Sequence, residues 1–270
     1  MSELKQDVEG AAALSPDSPM YVDADGHYEP FDYWLSLCGL YEYYDFALRL
    51  HGDLNGKRVL DCGCGPGHTS VMLARRGALV TAFDTSEEEL TKARALAAAN
   101  NVSIEFVNQP FEQLDMPEAH FDCAFGSCVL HHTDVAQAAD ALQRVLKPGA
   151  KAVFVENSAL NPLLMGARAF LCGRLGIPKY RDELNEYPLR QRDLDAIGEA
   201  FSGEFRVHRP YLVLLRLLDF YVFKARSVFI TDLLRGADRA LGKVPGMNRF
   251  GYFQVLELVK PGSPSAEPSS

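Results

Sequence analysis

The chain has 270 residues, 47% of them hydrophobic and 23% charged, which is enough apolar material for the core of one large domain. Its formal charge of -9 argues against a general affinity for nucleic acids or anionic lipids. The first residues are polar and acidic, and no apolar stretch is long enough to cross a bilayer. We therefore expect a cytoplasmic protein without a transmembrane segment.

The two ends of the chain differ in composition from its middle. Residues 1–19 are rich in Ser, Pro, Ala and acids, and together with the short tail 261–270 they predict two disordered ends. Residues 20–54 predict N-terminal cap helices, because the aromatic-rich segment 31–51 repeats its apolar residues with helical spacing. Residues 55–260 are expected to form the main domain.

Short apolar runs alternate with helical patterns along this domain. The alternation predicts an α/β fold with a doubly wound, mostly parallel sheet and right-handed crossovers. Ser86 followed by Glu89 predicts a capping box at the start of the second helix. The predicted strands cover 58–61, 78–84, 103–108, 122–127, 150–156, 205–211 and 253–260, and the helices cover 68–76, 87–100, 134–146 and 189–201.

Two insertions interrupt the regular alternation, at about 157–188 and 212–248. The first is apolar and punctuated by Pro and Gly, and the second repeats Leu and aromatic residues with helical spacing. Both insertions and the N-terminal helices are expected to gather at the carboxyl edge of the sheet as a mainly helical, apolar cap. Such a cap suits an apolar or amphipathic small molecule. A homodimer interface and a membrane-surface contact are the competing interpretations.

A glycine-rich turn follows the first strand, with glycines at three alternate positions: Gly63, Gly65 and Gly67. Glycine lets the backbone turn sharply and lets a ligand approach without meeting a Cβ atom. The helix that follows directs its N-terminal N–H groups at that ligand. The turn is therefore predicted to be a cofactor loop at the carboxyl end of the first strand.

Two acids near this loop indicate the kind of cofactor. Asp61 precedes the glycines and would repel a pyrophosphate, and the spacing differs from the G-x-G-x-x-G of dinucleotide-binding proteins. Asp84 ends the second strand, where a carboxylate can accept hydrogen bonds from both hydroxyls of a ribose. The pattern predicts a cationic, ribose-bearing cofactor without phosphates.

Four motifs occur in the same order as in a known family. Residues 59–67 (VLDCGCGPG) resemble motif I of class I S-adenosylmethionine-dependent methyltransferases, and Asp84 falls where that family places its ribose-binding acid. Residues 121–132 resemble its fourth strand, and 142–150 (LQRVLKPGA) resemble its turn into the fifth strand. The chain is similar to the small-molecule, Methyltransferase-11-like members.

The resemblance implies S-adenosyl-L-methionine as cofactor, S-adenosyl-L-homocysteine as product, and a Rossmann-like, seven-stranded sheet. Its last strand would run antiparallel between strands five and six. Asp61 would hold the methionine ammonium, directly or through water, and a tyrosine of the N-terminal helices would reach the methionine carboxylate. The implied cofactor-binding residues are Asp61, Gly63, Cys64, Gly65, Gly67, Asp84, Thr85, Gln109, Phe111, Glu112, Gly126, Ser127, Tyr41 and Tyr44.

The adenine end departs from the family pattern. Pro110 stands where many members carry an acid that accepts a hydrogen bond from the adenine amino group. Either Gln109 supplies the acceptor, or the Phe111 backbone alone contacts the ring, or the alignment is shifted by one residue.

A sulfonium methyl donor is already reactive, so a base is needed only when the acceptor must lose a proton. His132 and His131 follow the fourth strand at the cofactor edge, and Glu156 ends the fifth strand at the same edge. A histidine there suits general-base catalysis, with a structural hydrogen bond as the alternative role. We take His132 as the first candidate and His131 and Glu156 as its rivals.

The six cysteines do not have the spacing of a metal site. Cys62 and Cys64 form a C-x-C pair inside the cofactor loop, whereas zinc sites favour C-x-x-C pairs. We expect buried free thiols and no metal.

Three functions remain after these observations. The first is methylation of an apolar or amphipathic small-molecule acceptor, with an oxygen acceptor favoured over nitrogen or carbon. The second is a protein that binds S-adenosylmethionine without transferring methyl, as a partner subunit or a rearrangement catalyst. The third is a nicotinamide-dependent reductase.

Overall fold

The computed structural model describes residues 15, 18–30, 39–171, 187–219, 223 and 226–262. The predicted tails lie mostly outside this range, as do residues 31–38 of the predicted N-terminal helix. The strands are β1 (Arg58–Cys62), β2 (Leu79–Asp84), β3 (Ile104–Asn108), β4 (Phe121–Ser127), β5 (Leu146–Asn157), β6 (Glu204–His208) and β7 (Phe253–Val259). The helices are α1 (Leu40–His51), α2 (His68–Arg75), α3 (Glu87–Ala99), α4 (Val135–Val145), α5 (Pro162–Leu171), α6 (Gln191–Ala200), α7 (Leu215–Leu218) and α8 (Val228–Leu241).

The strands form one seven-stranded sheet in the order β3-β2-β1-β4-β5-β7-β6. β1 to β5 pair in parallel, and β7 pairs antiparallel with both β5 and β6. The prediction of a doubly wound sheet with its last strand antiparallel between strands five and six is confirmed. β6 therefore runs parallel to β5, as expected.

Each face of the sheet packs on its own apolar layer, because successive side chains of a strand point to opposite faces. On one face, Val59 and Phe125 join the core with Tyr43 of α1. On the other face, Leu60 and Phe154 pack with partners that include residues of α4 and α6. The result is the three-layer α/β arrangement in which ligands bind at the carboxyl ends of the parallel strands.

Element boundaries differ from prediction where a local feature sets them. α1 begins at Leu40, after Gly39 in a left-handed conformation with φ of 75°. β5 begins at Leu146 rather than residue 150, because Leu146 pairs with Phe121 before a register shift in the ladder. The Ser86 cap accepts a hydrogen bond from the Glu89 backbone N–H, which is half of the predicted capping box.

The second insertion contains α7 and α8, which are tied to each other and to α1. The buried Asp238 of α8 accepts hydrogen bonds from the backbone N–H groups of Leu214, Leu215 and Arg216 at the start of α7. The Arg216 guanidinium then forms an ion pair with Glu42 in α1. These contacts place the second insertion beside the first turn of α1.

Candidate active site

A cavity of about 640 Å³ opens at the carboxyl ends of β1, β2 and β4, within the usual size range of small-molecule sites. Its lining is mostly apolar and comes from α1, the glycine loop, and the segments that follow β2, β3 and β4. The lining residues are Leu40, Tyr44, Gly63, Cys64, Gly65, Pro66, His68, Thr69, Phe83, Asp84, Thr85, Phe111, Glu112, Ser127, Cys128, Val129, His132 and Thr133. None of the described residues of the two insertions lines it.

The three loop glycines have positive φ angles of 64°, 51° and 89°, which side chains of L-residues rarely tolerate. A Cβ atom on Gly63 would overlap the Val129 side chain, and one on Gly67 would lie 2.7 Å from Cβ of Ala93. A Cβ atom on Gly65 would meet nothing within 4 Å. Gly63 and Gly67 thus allow close packing within the protein, whereas Gly65 leaves room on the cavity side for a ligand.

Asp84 lies against the glycine loop. One of its carboxylate oxygens accepts a hydrogen bond from the Gly65 backbone N–H at 2.9 Å, and the other accepts from the Ser86 N–H at 2.9 Å. Each carboxylate oxygen can accept a second hydrogen bond. The carboxylate therefore stands at the cavity wall with acceptor capacity left for a ligand's hydroxyl groups.

Asp61 lies behind the loop. It is 1% exposed and does not line the cavity; its carboxylate accepts hydrogen bonds from the hydroxyls of Thr69 at 2.9 Å and Ser70 at 2.6 Å. Burial raises the pKa of Asp61 to about 6, against the lowering effect of these two hydrogen bonds. In this structure the carboxylate fixes the first turn of α2, so of the two predicted ways to hold a methionine ammonium, directly or through water, its position favours an indirect one.

The wall after β3 includes two of the predicted adenine residues. Phe111 packs edge-on against Phe83 with ring centroids 5.1 Å apart, and the Glu112 carboxylate accepts a hydrogen bond from the Asp134 N–H at 2.8 Å. Gln109 is turned away from the cavity, because its side-chain oxygen accepts from the Asp115 N–H at 3.0 Å. The structure thus brings Phe111 and Glu112 to the cavity but not Gln109.

Tyr44 of α1 reaches the end of β4. Its hydroxyl lies 2.9 Å from the Ser127 hydroxyl and 3.5 Å from Nε2 of His68, and burial raises the pKa of Tyr44.

Tyr41 does not line the cavity, since its hydroxyl accepts a hydrogen bond from the Tyr28 N–H at 3.3 Å. Gly126 also lies behind the surface, where a Cβ atom would press on the Phe154 ring. Of the two predicted tyrosines, only Tyr44 lines the site.

The segment after β4 is held by a fully buried carboxylate. Glu156 accepts hydrogen bonds from the backbone N–H groups of Val129 at 2.8 Å and Leu130 at 2.7 Å, and its other oxygen lies 2.8 Å from Nδ1 of His131. The His131 and His132 rings have centroids 4.0 Å apart, and only His132 lines the cavity. Glu156 and His131 therefore position the loop, and His132 is the one of the three predicted catalytic residues that faces the site.

Two cavity residues, His68 and Cys128, were not among the residues predicted from the sequence. His68 is the first residue of α2, and burial lowers its pKa to about 4, so the ring is neutral near pH 7. Its position directly after the third loop glycine would have been enough to predict it. Cys128 adopts a left-handed conformation with φ of 54°, which nothing in a cysteine's neighbours would indicate.

The described cysteines are free thiols. Cys62, Cys64 and Cys123 are buried, and burial raises the pKa of each. Such thiols are poor nucleophiles at neutral pH.

Residues 59–149 match a family model described as a methyltransferase domain. Residues 59–149 are therefore a methyltransferase domain of the class I, S-adenosylmethionine-dependent type. The matched range contains the glycine loop, Asp84 and the segment after β4. The resemblance drawn from the four motifs is confirmed.

A ubiquinone biosynthesis O-methyltransferase from Alkalilimnicola ehrlichii is 38% identical over 119 residues, which cover 43% of this chain and 47% of that protein. The chain aligns with about half the length of the curated relatives it matches first. These relatives therefore support the methyltransferase domain, and they leave open what the insertions do.

Two solved structures show the same fold over most of the chain. A methyltransferase from Mesorhizobium loti has a TM-score of 0.56 at 21% identity, covering 80% of this chain and 97% of that one. A geranyl diphosphate C-methyltransferase from Streptomyces coelicolor, solved with S-adenosyl-L-homocysteine, has a TM-score of 0.53 at 15% identity, covering 81% and 76%. None of the helices in the described part of the chain combines the length and apolar character needed to span a membrane.

Proposed function

We propose that this chain transfers a methyl group from S-adenosylmethionine to an apolar or amphipathic small molecule, with a hydroxyl oxygen as the favoured acceptor. The observation that carries the proposal is the pairing of Gly65, which leaves open space, with the Asp84 carboxylate at the wall of one cavity. A nucleoside with free ribose hydroxyls and no phosphate fits this pairing.

The residues around the loop fit the remaining parts of the cofactor. Phe111 and Phe83 offer an apolar surface for a purine ring, and Glu112 lies at the same wall. Tyr44 and Ser127 place two hydroxyl groups at the opposite end, where a methionine carboxylate would find donors. Asp61 would act on the methionine ammonium from behind the loop, through the hydroxyls of Thr69 and Ser70 or through water.

The bound cofactor supplies an electrophilic methyl group on a positively charged sulfur. The protein's part is to hold the acceptor in line and to take its proton. We assign this proton transfer to His132, because it is the predicted catalytic residue that lines the cavity. The Glu156–His131 pair fixes the backbone from which His132 projects, which keeps the base in position.

An oxygen acceptor is favoured for two reasons. Histidine titrates close to neutral pH and is suited to deprotonating an acidic hydroxyl such as a phenol. The name of the Alkalilimnicola relative, which shares 38% identity in the domain, also refers to O-methylation. We include a cytoplasmic location in the proposal, because the described buried cysteines are free thiols, as is usual in reducing compartments.

The experiment is to incubate the purified chain with S-adenosylmethionine and a panel of phenols, catechols and amines, each with and without an alkyl chain. We expect S-adenosylhomocysteine and a methylated product with an alkylated phenol or catechol, identified by mass spectrometry. His132→Gln should lower kcat by about 100-fold or more and leave the KM for S-adenosylmethionine nearly unchanged. His120→Gln, which changes a histidine before β4 at the opposite edge of the sheet, is the matched control.

Two results would contradict the proposal. If the protein bound S-adenosylhomocysteine but methylated nothing across such a panel, the alternative of a cofactor-binding protein without methyl transfer would be favoured. If His132→Gln and His120→Gln lowered kcat equally, His132 would not be the base.

A further inference from the structure

Helix α8 presents an apolar stripe to solvent. Phe229 is 76% exposed and Leu233 is 59% exposed, and with Gly236 and Ala240 they recur every three or four residues along one face. The opposite face is fixed by the buried Asp238. The stripe is therefore not needed to attach the helix to the protein, and a pair of large exposed apolar side chains on one helix face is typical of an interaction surface.

The charge around the stripe is opposite in sign to that of the whole chain. Residues 226–250 contain five basic and two acidic residues, and one of those acids is the buried Asp238. The basic residues are Arg226, Arg235, Arg239, Lys243 and Arg249. Arg239 approaches Glu42 to 3.8 Å, yet its side chain remains 66% exposed. A net-acidic protein thus carries a local excess of positive charge, with two of these residues on α8 and three in the segments that flank it, which we call the basic patch.

We propose that helix α8 docks on the surface of a membrane that contains anionic lipids. An amphipathic helix with Phe and Leu on one side and Arg and Lys beside them is the form that lies in the headgroup layer. The basic residues match the negative charge of such a surface. A second copy of this chain fits less well, because a symmetric dimer through α8 would bring two basic patches together.

The docking would place the membrane next to the cavity. Arg216 and Arg239 contact Glu42, which lies two residues from Leu40 in the cavity wall. An apolar acceptor dissolved in the lipid would then meet the protein near its binding site. This consequence rests on the proposed function, whereas the docking itself does not depend on methyl transfer.

The test is co-sedimentation of the full chain with vesicles of phosphatidylcholine and phosphatidylglycerol, compared with vesicles of phosphatidylcholine alone. We expect binding to the mixed vesicles that weakens as salt is raised. The double variant Phe229→Asp with Leu233→Asp should bind at least about tenfold more weakly, because it removes the apolar anchor and adds negative charge. Arg235→Gln with Lys243→Gln should weaken binding by about tenfold through loss of charge alone.

Leu79→Asp is the matched control, because Leu79 is a leucine of nearly the same exposure, 60%, at the start of β2. It should bind vesicles as the unchanged protein does, and all variants should bind S-adenosylhomocysteine equally. The proposal is overturned if the unchanged protein ignores mixed vesicles at low salt, or if Leu79→Asp weakens binding as much as the α8 variants. It is also overturned if the α8 variants keep vesicle binding but turn a dimer into a monomer in light scattering.

Discussion

The glycine loop after β1 and the helix α8 differ in how far their side chains are engaged within the protein. Around the loop, Asp61, Asp84 and Glu156 each accept two or more hydrogen bonds, and Gly63 leaves no room for a methyl group. On α8, large apolar side chains face solvent. The wall of the cavity is therefore held by internal contacts, whereas α8 leaves one apolar face exposed to solvent.

The largest expected effect comes from adding one methyl group to each of two loop glycines, Gly63 and Gly65. Gly63→Ala should lower the free energy of unfolding by about 2–4 kcal/mol, from a strained positive φ and overlap with Val129. Gly65→Ala should lower it by only about 1 kcal/mol, because open space surrounds that position, and should instead weaken S-adenosylhomocysteine binding. Urea unfolding and calorimetry measure both effects.

A larger substitution on the exposed face of α8 serves as the reference for the two glycine variants. Leu233→Asp should change the free energy of unfolding by no more than about 0.5 kcal/mol, since the side chain is exposed. Equal losses of stability for Gly63→Ala and Leu233→Asp would mean that the two regions are equally constrained, contrary to the comparison.

A smaller effect concerns the pH dependence of stability. The pKa of Asp61 is raised by burial to about 6, above its value in the unfolded chain. Between these two pKa values the folded protein holds a proton that the unfolded chain has lost, so raising the pH from about 4 to 6 weakens folding. Relative to Asp61→Asn, the unchanged protein should lose about 1–3 kcal/mol over this range. Urea unfolding at several pH values measures the difference, and a constant difference would show that Asp61 is not shifted.

The sequence predicted that the glycine loop and the strand ends meet at one cavity, because the backbone requirements of that turn are local. Gly65, Asp84 and Phe111 line the cavity as expected, since the spacing of glycines and strand ends fixes where these positions meet. It could not show that Asp61 turns behind the loop, because that depends on the hydroxyls of Thr69 and Ser70 closing over it.

The contacts of Glu156 and the exposure of α8 could not be predicted from a sequence pattern. Glu156 ends β5 at the cavity edge, but three donors from the segment after β4 occupy its carboxylate. The apolar residues of 212–248 predicted a cap over the cofactor, whereas α8 exposes its stripe to solvent and none of its residues lines the cavity. Whole-chain charge also obscured the basic patch on and beside α8, because charge summed over 270 residues hides a local excess of opposite sign.

Asp84 is the residue on which the proposed cofactor site depends most, as the group that binds a ribose. The most direct measurement is calorimetric binding of S-adenosylhomocysteine and of its 2′-deoxy analogue to the unchanged protein and to Asp84→Ala. We predict that the unchanged protein binds the parent nucleoside about 10- to 100-fold more tightly than the deoxy analogue, and that Asp84→Ala binds both weakly and equally. Equal affinity of the unchanged protein for the two ligands would contradict ribose binding by Asp84. So would an Asp84→Ala variant that still prefers the parent nucleoside over its deoxy analogue to the same degree.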